Sequence, residues 1–265
     1  MTSESDRVNA AVEEMERLFP IGNYTRSHGA AYRHIARIAA DYLPAGAKIL
    51  DFGAGPGDKT AVLQLLGFDC CACDDLRDDW HEGWREKILA FADKLGIDFH
   101  LIDGGALPYQ PESLDAVMMF DVIEHLHDSP RELLLGLLGL LKPSGCLMLT
   151  VPNAVNLRKR IHVAFGRTNY PPFEDYYWYP EHYRGHIREY TKDDLLKLSR
   201  YLDLEVLKLC GCDHMLQKIP RPAQPLYLAL TSVFAGWKDT WMLVARKPLD
   251  WSPNKTCTRV PYAWS

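Results

Sequence analysis

The chain has 265 residues, enough for one sizeable α/β core and too many for a disulfide-stapled mini-protein. Apolar residues at 47% and charged residues at 25% exclude a disordered or low-complexity chain. A net charge of -5 leaves no global basic field of the kind non-specific nucleic-acid binders use, so no nucleic-acid partner is expected and any anion must be held locally.

Two helical patterns come first, at residues 6–18 and 26–42; the second places Tyr32, Ile35, Ile38 and Ala39 on one face. Pro44-Ala45-Gly46 ends it. Residues 48–52 form a short apolar run that leads straight into glycines, followed by a helical stretch at 59–66. The alternation continues with a strand at 68–73, a helix at 80–95, strands at 99–102 and 114–120, a helix at 130–141 and a strand at 146–151. Mostly apolar strands alternating with amphipathic helices predict a parallel sheet covered on both faces. Past Pro152 the pattern breaks. Residues 164–190 show no period and hold nine aromatics, from Phe165 to Tyr190, which reads as an inserted loop or lid. Regular structure resumes with a helix at 192–201, a strand at 204–209, a proline-bounded apolar segment at 220–237 and a strand at 240–245, a closing pair that fits an antiparallel edge. The tail, 248–265, with Trp251, Tyr262 and Trp264, carries no helix or strand signal.

The longest apolar runs, 133–141 and 226–237, fall short of the ~20 residues a bilayer-crossing helix needs. The first residues are polar and acidic, with no signal-peptide pattern, so a cytoplasmic protein is expected. Seven cysteines (Cys70, Cys71, Cys73, Cys146, Cys210, Cys212, Cys257) fall mostly in strand-like stretches and read as free thiols acting as small core hydrophobes. The Cys70/Cys73 spacing alone matches a zinc motif, but it lies in a strand pattern rather than a turn.

The strongest chemical signal is Asp51-Phe52-Gly53-Ala54-Gly55-Pro56-Gly57-Asp58, after a strand and before a helix. Glycines there let backbone approach a nucleotide-like ligand. Dinucleotide loops run G-x-G-x-x-G, whereas here glycines stand at 53, 55 and 57 and the sixth place is Asp58, which a pyrophosphate would meet as a like charge. Acids at both ends of the loop suit a cationic ligand without phosphate, such as S-adenosylmethionine. Asp74, at the tip of the second strand with Asp75 as its rival, is placed to accept ribose hydroxyls. Asp103, with Gly104, closes the third strand, where a carboxylate can take an adenine amino group. Singly, each acid reads as a helix cap or turn residue; three at successive strand ends behind this loop read as a site.

These stretches resemble the class I S-adenosylmethionine-dependent methyltransferases, as do Ser113–Asp128 for the fourth strand and Leu141–Asn153 for the fifth. The resemblance covers roughly residues 26–246. It implies a Rossmann-like, seven-stranded, mostly parallel sheet with helices on both faces and an antiparallel last strand, plus the aromatic-rich lid. The implied organisation is N-terminal helices capping the donor site (1–45), the methyltransferase domain (46–247, lid about 154–190) and a C-terminal tail. By resemblance Asp51, Gly53, Ala54 and Gly55 surround the methionyl part, Asp74 or Asp75 the ribose, Asp103 and Gly104 the adenine, and Asp121 lies near the sulfonium.

Methyl transfer from a sulfonium is an in-line displacement, and a base is needed only for a hydroxyl or protonated amine. Candidates are His125 and His127 after the fourth strand, and His182 and His186 in the insertion, with His125 and His186 the first choices. Asp121, Glu124 and His125 share a face if that segment is helical, and with His186 they offer two carboxylates and two imidazoles to a divalent cation; the spacing resembles metal-binding stretches in methyltransferases of small-RNA ends and of the ubiquinone pathway. A metal-free role, with the histidine flanking the methyl site, is the preferred expectation. The aromatic insertion with Arg158, Lys159, Arg160, Arg167, Arg184 and Arg188 points to an acceptor with planar faces and hydroxyls or anionic groups. A sugar or glycan hydroxyl comes first, a small phenol or quinone precursor second, and a non-catalytic binding protein is the alternative of another class. The 220–237 segment reads as a core or dimer helix before a membrane-touching one.

Overall fold

The computed structural model describes residues 3–25, 28–78, 81, 83–168, 170–180 and 182–253. Seven strands, β1 (Lys48–Phe52), β2 (Asp69–Asp74), β3 (Asp98–Leu101), β4 (Leu114–Phe120), β5 (Leu141–Pro152), β6 (Glu205–Cys212) and β7 (Thr240–Arg246), form one sheet in the order β3-β2-β1-β4-β5-β7-β6. β7 runs antiparallel to both neighbours, while β1 to β5 pair in parallel. The fold expected from the sequence is borne out. The central strands are mostly apolar because successive side chains feed opposite layers, whereas the edge strands β3 and β6 carry exposed polar residues. Ile49 packs with Ile35 and Ile38, whereas its neighbour Leu50 packs with Leu134 and Leu138.

Helices α1 (Glu4–Leu18), α2 (Gly29–Tyr42), α3 (Asp58–Leu65) and α4 (Arg85–Lys94) cover one face of the sheet; α5 (Arg131–Leu140) and α8 (Lys192–Tyr201) cover the other. The stripe read from the sequence on α2 is buried: Tyr32, Ile35, Ile38 and Ala39 are each exposed by 2% or less, and each large apolar side chain so buried stabilises by about 1.5–3 kcal/mol. α8 begins where its sequence says. Thr191 caps it, accepting from the Asp194 amide while the Asp194 carboxylate takes the Thr191 N–H. The cysteines behave as core residues: Cys70, Cys71, Cys73, Cys146 and Cys212 are buried free thiols, and burial pushes Cys71 up to about 11. Cys257, Tyr262 and Trp264 lie outside the described residues.

Four local expectations are corrected. β5 starts at Leu141 rather than 146, because Leu141 already pairs with Leu114 and the register then slips past a left-handed Ser144 (φ 67°). α4 starts at Arg85 rather than 80, since the preceding chain turns with His81 N–H on the Asp78 carbonyl and Trp84 N–H on the His81 carbonyl. The insertion holds two helices, α6 (Leu157–Ala164), capped by Asn156 accepting from Lys159 N–H at 3.0 Å, and α7 (Phe173–Tyr177). Finally, α9 (Gln224–Val233) buries only Tyr227 and Thr231 and leaves Leu226, Leu228 and Val233 exposed, so it is not a core helix of this chain. No helix among the described residues is long and apolar enough to cross a membrane.

The strand order reverses direction between β1 and β4, and the crevice at such a switch point is where open α/β sheets bind ligands.

Candidate active site

β1 delivers the chain into a left-handed turn at Gly53 (φ 72°), where a Cβ would stand 2.6 Å from Val122 Cγ2, so only glycine fits. The loop then folds inward on itself. Gly53 and Ala54 N–H both donate to the Cys73 carbonyl (2.8 and 3.1 Å), Gly55 N–H donates to Asp74 Oδ2 (2.8 Å), and Gly57 N–H donates to the Ala54 carbonyl (3.0 Å). Amides spent in this way do not face a phosphate. At the start of α3, where a pyrophosphate would otherwise sit, the buried Asp58 carboxylate accepts the Tyr32 hydroxyl at 2.5 Å. The dinucleotide reading is therefore opposed by hydrogen bonding as well as by glycine spacing.

Above the loop opens a cleft of about 640 Å³ at the carboxyl ends of β1, β2, β4 and β5, within the usual size of a ligand pocket. Gly53, Ala54, Gly55, Asp74, Asp75 and Asp121 line it, together with His125 and His186. Asp51 lies just beneath: it is 1% exposed, accepts the Thr60 hydroxyl at 2.6 Å on one oxygen and has no partner for the other among the described residues. Burial pushes its carboxyl up to about 6. Asp74 also accepts Leu76 N–H at 2.7 Å, and burial raises its carboxyl against the pull of these two amides. Asp103 and Gly104 are exposed and off the cleft lining; Asp103 accepts the Gly105 N–H of its own turn at 3.0 Å.

β4 ends in a sharp bend at Asp121 (φ 60°), one of the residue types that tolerate this region. Its oxygens take Lys59 Nζ at 3.3 Å and the Thr150 hydroxyl at 3.1 Å. Burial opposes ionisation there, but Lys59, His214 and Thr150 together hold the carboxyl below its usual range. The bend turns the next residues inward as a 3₁₀ turn, Ile123–His125. Glu124 is fully buried, and neither carboxylate oxygen has a hydrogen-bond partner among the described residues; burial, with Asp121 adding, raises it well above the carboxylate range.

A strap from the insertion crosses the cleft and is stitched to this turn. Ile187 and Arg188 N–H donate to the Glu124 carbonyl (2.7 and 3.1 Å), and His125 Nδ1 meets the Arg184 carbonyl at 2.6 Å. Arg184 reaches on to Asp75, with two bonds of 2.9 and 3.0 Å, and to Asp78 at 2.5 Å. His186 Nδ1 lies 2.9 Å from Glu189 Oε1, and the other Glu189 oxygen pairs with Lys159. The His125 and His186 rings stand edge to face with centroids 4.9 Å apart. Both histidines singled out from the sequence thus converge on Glu124, whereas Asp121 is held apart by Lys59.

The aromatic expectation fares differently. Phe165, Tyr170, Phe173, Tyr176, Tyr177 and Trp178 are 60% to 80% exposed, and of the insertion's aromatics Tyr183 reaches the cleft. Sequence reasoning missed Lys59, Tyr24, His28 and His214. Lys59 was legible as the first cation after the loop. His214 has no local signal: the strand order alone carries it to the cleft, where burial pulls its imidazole pKa down to about 4; the His34 ring lies beside it, centroids 5.8 Å apart.

A family model described as a methyltransferase domain matches residues 24–209. The chain belongs to that family. The resemblance read from the sequence is thereby borne out. The chain is also 31% identical over 147 residues to a demethylmenaquinone methyltransferase of Clavibacter sepedonicus, a match spanning 54% of each chain, so about half the length of that relative. Among solved structures it is similar to a SAM-dependent methyltransferase of Thermotoga maritima described as a possible histamine N-methyltransferase (TM-score 0.55, 16% identity, covering 91% of this chain and 98% of that one). A SAM-dependent methyltransferase of Archaeoglobus fulgidus scores 0.51 at 17% identity, covering 82% and 93%. The [4+2]-cyclase SpnF scores 0.55 at 16% identity, covering 94% and 98%. At these identities the likeness is one of fold.

Proposed function

We propose that the methyltransferase moves a methyl group from S-adenosylmethionine to a hydroxyl of a sugar or glycan. The observation that carries the donor is the chemistry of the cleft: loop amides turned inward, a carboxylate at the α3 terminus, and acids at the ends of successive strands. Such a site repels a dinucleotide phosphate and favours a sulfonium and an ammonium. The Gly53–Ala54–Gly55 turn, with the buried Asp51 beneath it, then lies against the methionyl part, and Asp121 stands near the sulfonium. Asp75 is occupied by Arg184, which leaves the ribose to Asp74. Asp103 and Gly104, exposed on their turn, make the weaker contact at the adenine edge.

In the reaction a lone pair of the acceptor oxygen attacks the methyl carbon as the C–S bond breaks; its electrons stay on sulfur, giving neutral S-adenosylhomocysteine. The acceptor proton leaves towards Glu124, His125 and His186. The protein's share is alignment and exclusion of water, which the strap over the cleft favours. The charged, histidine-rich lining suits a polyhydroxylated acceptor better than an apolar ring. A second reading, a ring hydroxyl of a phenol or quinone precursor, is favoured by the name of the Clavibacter relative and by the exposed aromatics of the insertion. The two are separated by measuring S-adenosylhomocysteine release with a panel of free glycosides and hydroxynaphthoquinols. Turnover on glycosides supports the first reading; turnover confined to the ring compounds replaces it; donor binding without turnover on any acceptor favours the non-catalytic alternative.

A further inference from the structure

We infer that Glu124, His125 and His186 bind a first-row divalent cation of the zinc, cobalt or manganese type, with one carboxylate and two imidazoles as ligands. Their ligand atoms all lie within 4.8 Å of one another, with His125 Nε2 3.9 Å from Glu124 Oε1. Metal–nitrogen and metal–oxygen bonds of about 2.1 Å place adjacent ligands about 3–3.5 Å apart, so side-chain adjustments of about 1 Å close the set.

Three independent features favour an ion over a bare polar cluster. Glu124 is fully buried and neither oxygen has a hydrogen-bond partner among the described residues, a costly arrangement that an ion relieves. Each histidine is oriented from behind. A ring nitrogen facing a carbonyl must carry the proton, so His125 Nδ1 donates to the Arg184 carbonyl and leaves Nε2 as the lone-pair nitrogen; His186 Nδ1 against Glu189 does the same through a carboxylate. Carboxylate or carbonyl behind imidazole is how proteins hold metal-binding histidines. The ligands are also drawn from two segments 61 residues apart (125 and 186), clamped together by the Ile187 and Arg188 amides on the Glu124 carbonyl. Asp121, which the sequence spacing grouped with these residues, is not a ligand, because Lys59 and Thr150 occupy its oxygens.

Two histidines and one carboxylate leave coordination positions open for water or an acceptor oxygen. A cation there would lower the pKa of a bound hydroxyl, so that with the ion in place the acceptor proton would pass to solvent water rather than to the histidines. The inference rests on the proposed methyl transfer for its role, but not for its ligands.

The test is a Co²⁺ titration of chelator-treated full-length protein, read by visible d–d absorption, with S-adenosylhomocysteine binding measured on the same sample. One equivalent is expected to saturate in wild type. Glu124→Gln and His186→Ala each lose affinity by more than about tenfold, and Glu189→Gln, which keeps an acceptor oxygen but weakens the support behind His186 and the pairing with Lys159, loses about 10–100-fold. His127→Ala, outside the cluster, binds as wild type. Absence of a saturable spectrum while S-adenosylhomocysteine binds overturns the metal site and leaves the donor reading intact. Cobalt binding unchanged in Glu124→Gln and His186→Ala overturns it equally. Cobalt bound as expected with no S-adenosylhomocysteine binding supports the metal site and removes the donor reading.

Discussion

Asp51→Asn is the most informative stability perturbation, because the buried carboxyl titrates in a range where the protein can be handled. Its pKa rises from 3.8 to about 6 through burial, against the Thr60 hydrogen bond and the field of Lys59. Between these values the folded chain holds a proton that the unfolded chain has released. Stability is therefore fullest below 3.8 and is lost as pH rises to about 6, remaining low above it. With 1.36 kcal/mol per pKa unit, the raised pKa costs about 1.5 kcal/mol of stability at pH 5 and about 3 kcal/mol at pH 8, relative to low pH. Asparagine keeps the shape and an acceptor for Thr60 but does not titrate. The stability difference, variant minus wild type, from urea unfolding should increase by about 1.5 kcal/mol between pH 5 and pH 8. The increment, not the absolute offset, is the prediction, since the asparagine amide brings a hydrogen-bonding requirement that does not vary with pH. A pH-independent offset, or a wild type that gains on the variant at high pH, refutes the burial argument.

Gly53→Ala should destabilise by about 2–5 kcal/mol, from a left-handed alanine and a Cβ driven against Val122, and adding Val122→Ala should restore part of it in the same unfolding assay. Tyr32→Phe strips the buried Asp58 of its hydroxyl and should cost about 2 kcal/mol in urea unfolding. Arg184→Ala opens the strap's grip on Asp75 and Asp78; because the guanidinium is partly exposed, stability should change by less than about 1 kcal/mol, while stopped-flow release of S-adenosylhomocysteine accelerates severalfold. In equilibrium binding of S-adenosylhomocysteine, Asp74→Ala should lose more than about tenfold and Asp103→Ala much less, as Asp103 stands off the cleft; equal losses would contradict the cleft's outline.

The sheet was legible because its central strands are mostly apolar and its turns are marked by glycine, and α8 covers the residues predicted for it, Lys192–Tyr201. β1 and β4 match their sequence limits residue for residue. What stayed hidden depends on long-range placement. Nine aromatics in one stretch suggest a stacking lid, but periodicity says nothing about which way an irregular segment faces, and most of these rings point outward. Arg184 was visible as a cation but not as the partner of Asp75, across 109 residues of chain. Likewise Glu124 and His125 were a pattern until the strap brought His186 against them, and that same fold removed Asp121 from the group. His214 owes its place in the cleft to β7 lying between β5 and β6.

Calorimetric titration of the folded protein with S-adenosylhomocysteine, with a nicotinamide dinucleotide as the control ligand, bears most directly on the donor assignment. One binding event per chain for S-adenosylhomocysteine, weakened in Asp74→Ala, with no heat from the dinucleotide, is what the inward-turned loop and its acids require. Silence with S-adenosylhomocysteine, or saturable heat from the dinucleotide alone, contradicts it.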